Sequence, residues 1–405
     1  MATLSDSPQE TFRLSQLIYD TRYRSITIQV VAFIAFMAIF AWLLTNTYYN
    51  LQAQGKSFEF GFLGERAGYD INQRPIEYTN DSTHFRATLV GLTNTLIIAV
   101  LGCILATIVG VIAGVLRLSK NWLTAKLMAF YVESFRNIPV LLWIIAFFAI
   151  LTEATPRPNA FRGDSPTASM ILGDTVAITN RGTYIPRPIW EDGSAIVVIT
   201  FLLSLLAIWA FRKWSHRRFE ETGQDLPNIW IELAIFAVPS LIVYYIMGRP
   251  IGLSYPELRG FNFQDGLHLR NSFIALWLAL SLYTGAFIAE IVRSGILAVS
   301  QGQSEAAFAL GLRPSKTMNL VILPQAMRVI VPPLISQYLN LTKNSSLAIA
   351  VGYMDLRSTL GGITLNQTGR ELECMLLMML IYLIISLIIS GAMNVYNQSI
   401  KLKER

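Results

Sequence analysis

The chain has 405 residues, of which 53% are hydrophobic and only 14% charged, against roughly 25% charged in an average soluble domain. That balance excludes an ordinary water-soluble domain and places the chain in a bilayer. The formal net charge is +6, but the basic residues are scattered rather than gathered on one face, which argues against a nucleic-acid partner.

A bilayer core takes about 20 consecutive apolar residues per helix. Eight stretches are read as spans: 26–44, 89–116, 139–151, 195–211, 229–247, 273–299, 329–341 and 375–393. The predicted fold class is therefore an all-α integral membrane protein with about eight transmembrane helices. The first stretch follows Arg22 and Arg24 as in a signal peptide. It is too long for that role, lacks a small-residue cleavage site, and reads as a retained anchor. The third and seventh stretches are short, interrupted by polar residues and flanked by Arg136 or Lys343.

Short cytoplasmic loops should carry the excess of Lys and Arg. Arg13, Arg22 and Arg24, then Arg117, Lys120 and Lys126, then Arg212, Lys213, Arg217 and Arg218 fall on one side. Arg293, Arg313, Lys316 and Arg328, and finally Lys401, Lys403 and Arg405, join them. The opposite loops dilute their basic residues with Glu59, Glu65, Asp70, Glu77, Asp81, Glu153, Asp164, Asp174, Glu191, Asp192, Glu257 and Asp265. Both termini are thus expected in the cytoplasm, in keeping with an even number of spans.

Between the sixth and seventh spans lies QSEAAFALGLRPSKTMNLVILP, residues 303–324. It is polar and rich in small residues, so it faces something other than lipid. Glu305, Ala306 and Ala307, then Gly311, then Val321, Leu323 and Pro324 resemble the EAA loop of ATP-binding-cassette importer permeases, with Val321 in place of Ile. Small Ala306, Ala307, Ala309 and Gly311 would let a helix backbone approach a partner closely, and Glu305 is expected near a helix start, where the macrodipole favours an acid.

Four further blocks are similar to the polar amino-acid branch of that family. They are TLVGLTNTLIIAV (88–100), YVESFRNIPVLLWI (131–144), TGAFIAEIVRSGILAVSQGQSEAA (284–307) and LTKNSSLAIAVGYMDL (341–356). The resemblance covers roughly half the chain and extends to the enlarged permeases of general L-amino-acid importers. It implies an inner-membrane permease subunit that moves amino acids by ATP-driven alternating access. It further implies two ATPase subunits, a homologous permease and a periplasmic amino-acid-binding protein as partners. ATP and Mg would sit on the ATPase and no cofactor on this chain.

The implied organisation has four parts: 1–87 with the anchor, 88–151 as the first part of the permease core, 152–271 as an insertion with two extra spans, and 272–405 as the second part of the core with the coupling loop. Residues 164–193 alternate turn formers with short β-prone runs, which suggests a small hairpin. It either touches a binding protein or caps the two extra helices.

Ionisable groups at membrane depth are functional hypotheses by default. Glu290 could pair with Arg293 three residues on, either lining the path or forming a structural ion pair near the inner surface. Glu133 and Arg136 share the same spacing and are expected to pair. Lys343, Asn344, Ser345 and Ser346 interrupt an apolar run after Pro332 and Pro333. Lys343 could meet a substrate carboxylate or snorkel to the surface, and the neighbouring polar groups could meet an amino acid's other end. Glu232 is expected at an interface.

Other chemistry finds no signature. The phosphate-cradling loop, the Gly-x-Ser-x-Gly elbow and the His-Glu-x-x-His pair do not occur, so no catalytic residues are assigned. His84, His216 and His268 lack metal-ligand spacing and are expected to be solvated. Cys103 and Cys374 fall in or beside apolar spans and read as small hydrophobes. An ion-coupled secondary amino-acid transporter is the alternative, although it would call for paired repeats of broken helices.

Overall fold

The structure is a computed structural model that describes residues 18, 20–163, 166–223 and 228–400. Arg13, Asp164, Lys401, Lys403, Arg405 and the side chain of Arg22 lie outside the described residues. The chain divides into two compact units, residues 1–65 and 66–405.

In the first unit, α1 (Thr21–Ala53) is an apolar helix of 33 residues. At about 1.5 Å per residue it is longer than a bilayer core. Almost all of its side chains are exposed, as suits a helix whose solvent is lipid.

The second unit is predominantly helical. Its long helices are α2 (His84–Leu116), α3 (Trp122–Asn137), α4 (Val140–Glu153), α5 (Ser194–Thr222), α6 (Asn228–Ile246), α7 (Asn271–Leu297), α8 (Gln301–Ala309), α9 (Leu323–Asn344) and α10 (Glu371–Ile400). Among the described residues, seven helices are long and apolar enough to cross a membrane, or eight spans if the bent pair α3 and α4 counts as one.

That bend is written in the sequence. Pro139 forces Ile138 out of the helical region, to φ −103° and ψ 133°, and α4 leaves at 108° to α3. The expected span at 139–151 is therefore not a separate straight span but the second arm of a bent helix pair.

The core is built around α2 and α7, which run parallel. Gly110 and Gly114, one helical turn apart, permit the approach. A Cβ on Gly110 would stand 2.6 Å from Ile288 Cβ, and one on Gly114 2.6 Å from the Ala289 carbonyl oxygen. In lipid such small-residue contacts replace the hydrophobic effect as the force between helices. Around this seam pack Ile98, Ile144, Leu276, Leu280, Ile288 and Leu341, all fully buried.

The expected hairpin is present, in a larger β element than the sequence suggested. The strands are β1 (Ala177–Thr179), β2 (Gly182–Ile185), β3 (Arg187–Trp190), β4 (Ile251–Ser254), β5 (Glu257–Arg259), β6 (Asn262–Gln264) and β7 (Leu267–Leu269). The β1–β2 hairpin gains β7 as a third, antiparallel strand. β3 pairs with β4 and β5 with β6. The loops before α5 and after α6 are thereby stitched together and tied to the start of α7.

Candidate functional site

The EAA-like segment forms α8 and the turn after it. The helix begins at Gln301, so Glu305 lies in its second turn, where the helix dipole contributes little. Glu305 and Ala306 are exposed, and Ala307 is buried.

Gly311 has a backbone reason to be glycine. It takes φ +75° and closes α8 with paired bonds from Gly311 N–H to the Phe308 carbonyl, 2.9 Å, and from Leu312 N–H to the Ala307 carbonyl, 3.1 Å. Beyond it the helical ladder slips. Pro324 has no N–H to offer, and residues 318–322 form a π-turn in which Leu323 N–H reaches back to the Met318 carbonyl. Gln325 Nε2 donates to Gln303 Oε1 at 3.3 Å, tying α8 to α9. Phe308, Leu310, Met318, Leu320 and Leu323 all stay exposed, Leu310 at 82%. Phe308 and Leu310 stand before the candidate membrane span that starts at Pro314, whereas Met318, Leu320 and Leu323 lie within it.

At the ends of α2 and α7 nearest this loop sits a charge cluster. Glu290 accepts from Arg293 at 3.1 Å, as the spacing suggested, and from Arg117 in a second, tight ion pair. Arg117 also lies 3.9 Å from Glu133. The expected pairing of Glu133 with Arg136 does not form. Arg136 instead covers the Phe287 ring, 5.3 Å from its centroid, and Glu133 accepts from Asn137. Arg117 is only 12% exposed, so its charge needs this carboxylate.

Lys343 and Asn344 end α9, and Ser345–Val351 continues as a 3₁₀ helix. Lys343 is exposed. Ser345 is fully buried and donates to the Thr342 carbonyl at 2.7 Å, while Ser346 donates to the Lys343 carbonyl at 2.8 Å. Both hydroxyls thus donate within their own turn.

A buried polar hub went unnoticed in the sequence. Asn94 Nδ2 donates to the Met354 and Gln73 carbonyls at 2.9 and 3.0 Å, and Tyr353 Oη donates to the Asn94 carbonyl at 3.0 Å. Thr95 Oγ1 accepts from Leu356 N–H at 3.1 Å. The fully buried Asp355 accepts twice from Ser358, both at 2.9 Å. The signal was the pair Asn94-Thr95 in the middle of an apolar run.

His84 corrects the expectation of a solvated side chain. It is buried, with Nδ1 3.0 Å from Thr364 Oγ1. His216 is exposed, as expected. His268 is half-buried, stacked 4.3 Å from Tyr184, with Nε2 3.0 Å from the Arg181 carbonyl. Burial chiefly, and the Arg270 cation, hold its pKa below the usual histidine range, against the opposing pull of that carbonyl bond. Glu232 pairs with Arg212 through two bonds of 2.9 and 2.6 Å. Both cysteines are free thiols.

The sequence model of the family described as binding-protein-dependent transport system inner membrane component matches residues 106–402. The glutamate/glutamine/aspartate/asparagine transport system permease protein BztB of Rhodobacter capsulatus is 58% identical over the full length of both chains. The general L-amino acid transport system permease protein AapQ of Rhizobium johnstonii is 43% identical over 96% of this chain and 95% of its own. The glutamate/aspartate import permease protein GltJ of Escherichia coli is 32% identical over 44% of this chain and 72% of its own. With most of its length matched by the family and full-length relatives beside it, the chain belongs to the binding-protein-dependent transport system inner membrane components, as a multi-pass transport subunit and not an enzyme.

Proposed function

We propose that the chain is the permease subunit of an ATP-binding-cassette importer that moves acidic amino acids and their amides, with α8 as its coupling helix. The observation that carries this reading is α8 itself, a short helix closed by Gly311 that, with the turn after it, leaves Phe308 and Leu310 uncovered. The relatives' names support the substrate class. Two ATPase subunits, a homologous permease and a periplasmic receptor complete the assembly, both termini lie in the cytoplasm, and ATP and Mg belong to the ATPase. An ion-coupled transporter would have no use for such a surface.

In this mechanism, closure of the ATPase pair draws the two coupling helices together. The Gln303–Gln325 bond and the continuous run of α9 carry the movement to Lys343, Asn344 and the Ser345–Ser346 turn. Lys343 and Asn344 offer a cation and an amide to the passing substrate, and Ser345 and Ser346 hold the turn. Glu290, with Arg117 and Arg293, latches the core helices beside the coupling loop.

The test is affinity purification from native membranes in mild detergent, with mass spectrometry of the recovered partners. Wild type should bring down an ATPase and a second permease. Glu305→Lys should keep the permease and lose the ATPase, because it reverses a charge in the docking helix without touching a buried side chain. Normal uptake by that variant, or a wild-type chain recovered alone and transporting in liposomes, would sink the proposal.

A further inference from the structure

The insertion meets the core in two adjoining hollows of about 330 and 360 Å³ that share Asn180 and Arg181. Each is within the size range of small-molecule pockets, about 300–1,000 Å³. The core-side hollow adds Arg270 and Asn271, and the outer one adds Arg157 and Asn159. Asn180 and Arg181 form the two-residue turn of the β1–β2 hairpin, and Arg270 links β7 to α7. The stitched strands of the insertion therefore bring these side chains together.

Three guanidiniums line this space. Among the described residues Arg157 and Arg270 form no ion pair, and the Arg181 guanidinium donates only to the Phe261 carbonyl, at 3.1 Å. Most of its five N–H groups remain on offer.

The acceptors are as telling. Asn271 is 95% buried, and its Nδ2 faces three carbonyls: Asn180 at 2.9 Å, Leu151 at 3.2 Å and Thr179 at 3.5 Å. An amide so surrounded has its orientation fixed, because the opposite flip would set oxygen against oxygen. Its Oδ1 is left buried without a donor, and so is Oδ1 of Asn180. Buried orphan acceptors beside unpaired cations call for a ligand that carries both signs.

We propose that the two hollows form a binding site for an L-amino acid with an acidic or amide side chain. Arg270 and Arg181 hold the α-carboxylate, the Oδ1 atoms of Asn180 and Asn271 accept from the α-ammonium, and Arg157 meets the side-chain carboxylate. The site rests on the amino-acid import reading above and gives the insertion a role in substrate selection at the mouth remote from the coupling loop.

The test uses the complete importer complex in nanodiscs without its receptor. Binding of radiolabelled L-glutamate and L-glutamine is measured directly, and receptor-dependent uptake of both is followed in proteoliposomes. Wild type should bind both. Arg270→Gln should weaken both by about tenfold or more, as expected for losing a charged hydrogen bond, with partial recovery in Arg270→Lys. Arg157→Gln should weaken glutamate by about tenfold and glutamine far less, a selectivity that a merely structural defect would not produce. Size-exclusion chromatography reports whether each variant assembles, and Arg157→Gln alone decides if Arg270→Gln does not. A wild-type complex that imports both amino acids yet binds neither, or an Arg157→Gln complex that loses both equally or neither, would overturn the site. Failure of the wild-type complex to import any amino acid with its receptor present would instead overturn the import reading.

Discussion

Arg117 shows what spacing along one helix leaves unseen. The Glu290–Arg293 contact was legible because three residues bring two side chains onto one helix face. Arg117 meets the same carboxylate from α2, 173 residues away in sequence, and the packing of α2 on α7 decides that contact. Removing Glu290 strands a guanidinium that is mostly out of water. Glu290→Ala should cost about 2 kcal/mol, below the range of about 3–5 for a fully buried pair because the cluster is partly exposed. The double variant Arg117→Met, Glu290→Leu should recover most of that loss, since it removes both charges and keeps the apolar volume. Thermal unfolding of the purified protein in detergent checks both; a double variant no more stable than Glu290→Ala would mean that the ion pair itself holds the helices. The same distinction explains the missed hub at Asn94 and Asp355. Their residue types were visible, but their partners on other segments were not.

Elements were legible where local chemistry fixes them. Hydropathy found the apolar helices, while Pro139, read as the start of a span, proves to be the break between α3 and α4, and Gly311, read as a close-contact residue, proves to close α8. The pairing of β2 with β7 and of β3 with β4 was not legible, because strands in loops on either side of α5 and α6 choose partners through the fold. The contact between α2 and α7 lies between these cases. The Gly110-x-x-x-Gly114 pattern stands in the sequence but was not singled out there, and only the structure shows which helix fills it. Gly114→Val would drive side-chain atoms into the Ala289 carbonyl and Val292, so the helices would have to part. The expected outcome is loss of a monodisperse complex on size exclusion, while lipid-facing Val115→Ala in the same turn, with Val115 49% exposed, behaves as wild type. A well-assembled Gly114→Val protein would show that α2 and α7 tolerate a wider seam than these distances allow.

At the scale of the whole molecule, the parallel course of α2 and α7 turns the charge pattern into a statement about sidedness. Arg117 and Arg293 meet at Glu290, so the basic end of α2 and the basic end of α7 share one face of the membrane, and α8 follows directly from α7. At the other ends of these helices stand the segments that carry Asp70, Glu77, Asp81, Glu257 and Asp265. The orientation proposed above, with positive charge retained in the cytoplasm, predicts Lys316 and His216 inside and Glu77, Asp192 and Asp265 outside. Single cysteines test this in a background where Cys103 and Cys374 are replaced by Ala. Glu77→Cys, Asp192→Cys and Asp265→Cys should react with a membrane-impermeant maleimide in spheroplasts, and His216→Cys and Lys316→Cys only after permeabilisation. The fold would survive the reverse pattern, but the proposed coupling loop would then face away from the cytoplasmic ATP supply, and the proposed coupling mechanism would fail with it. Labelling of Asp192→Cys and His216→Cys from the same side would have a different consequence, because α5 alone separates these positions, and it would remove α5 from the set of membrane spans.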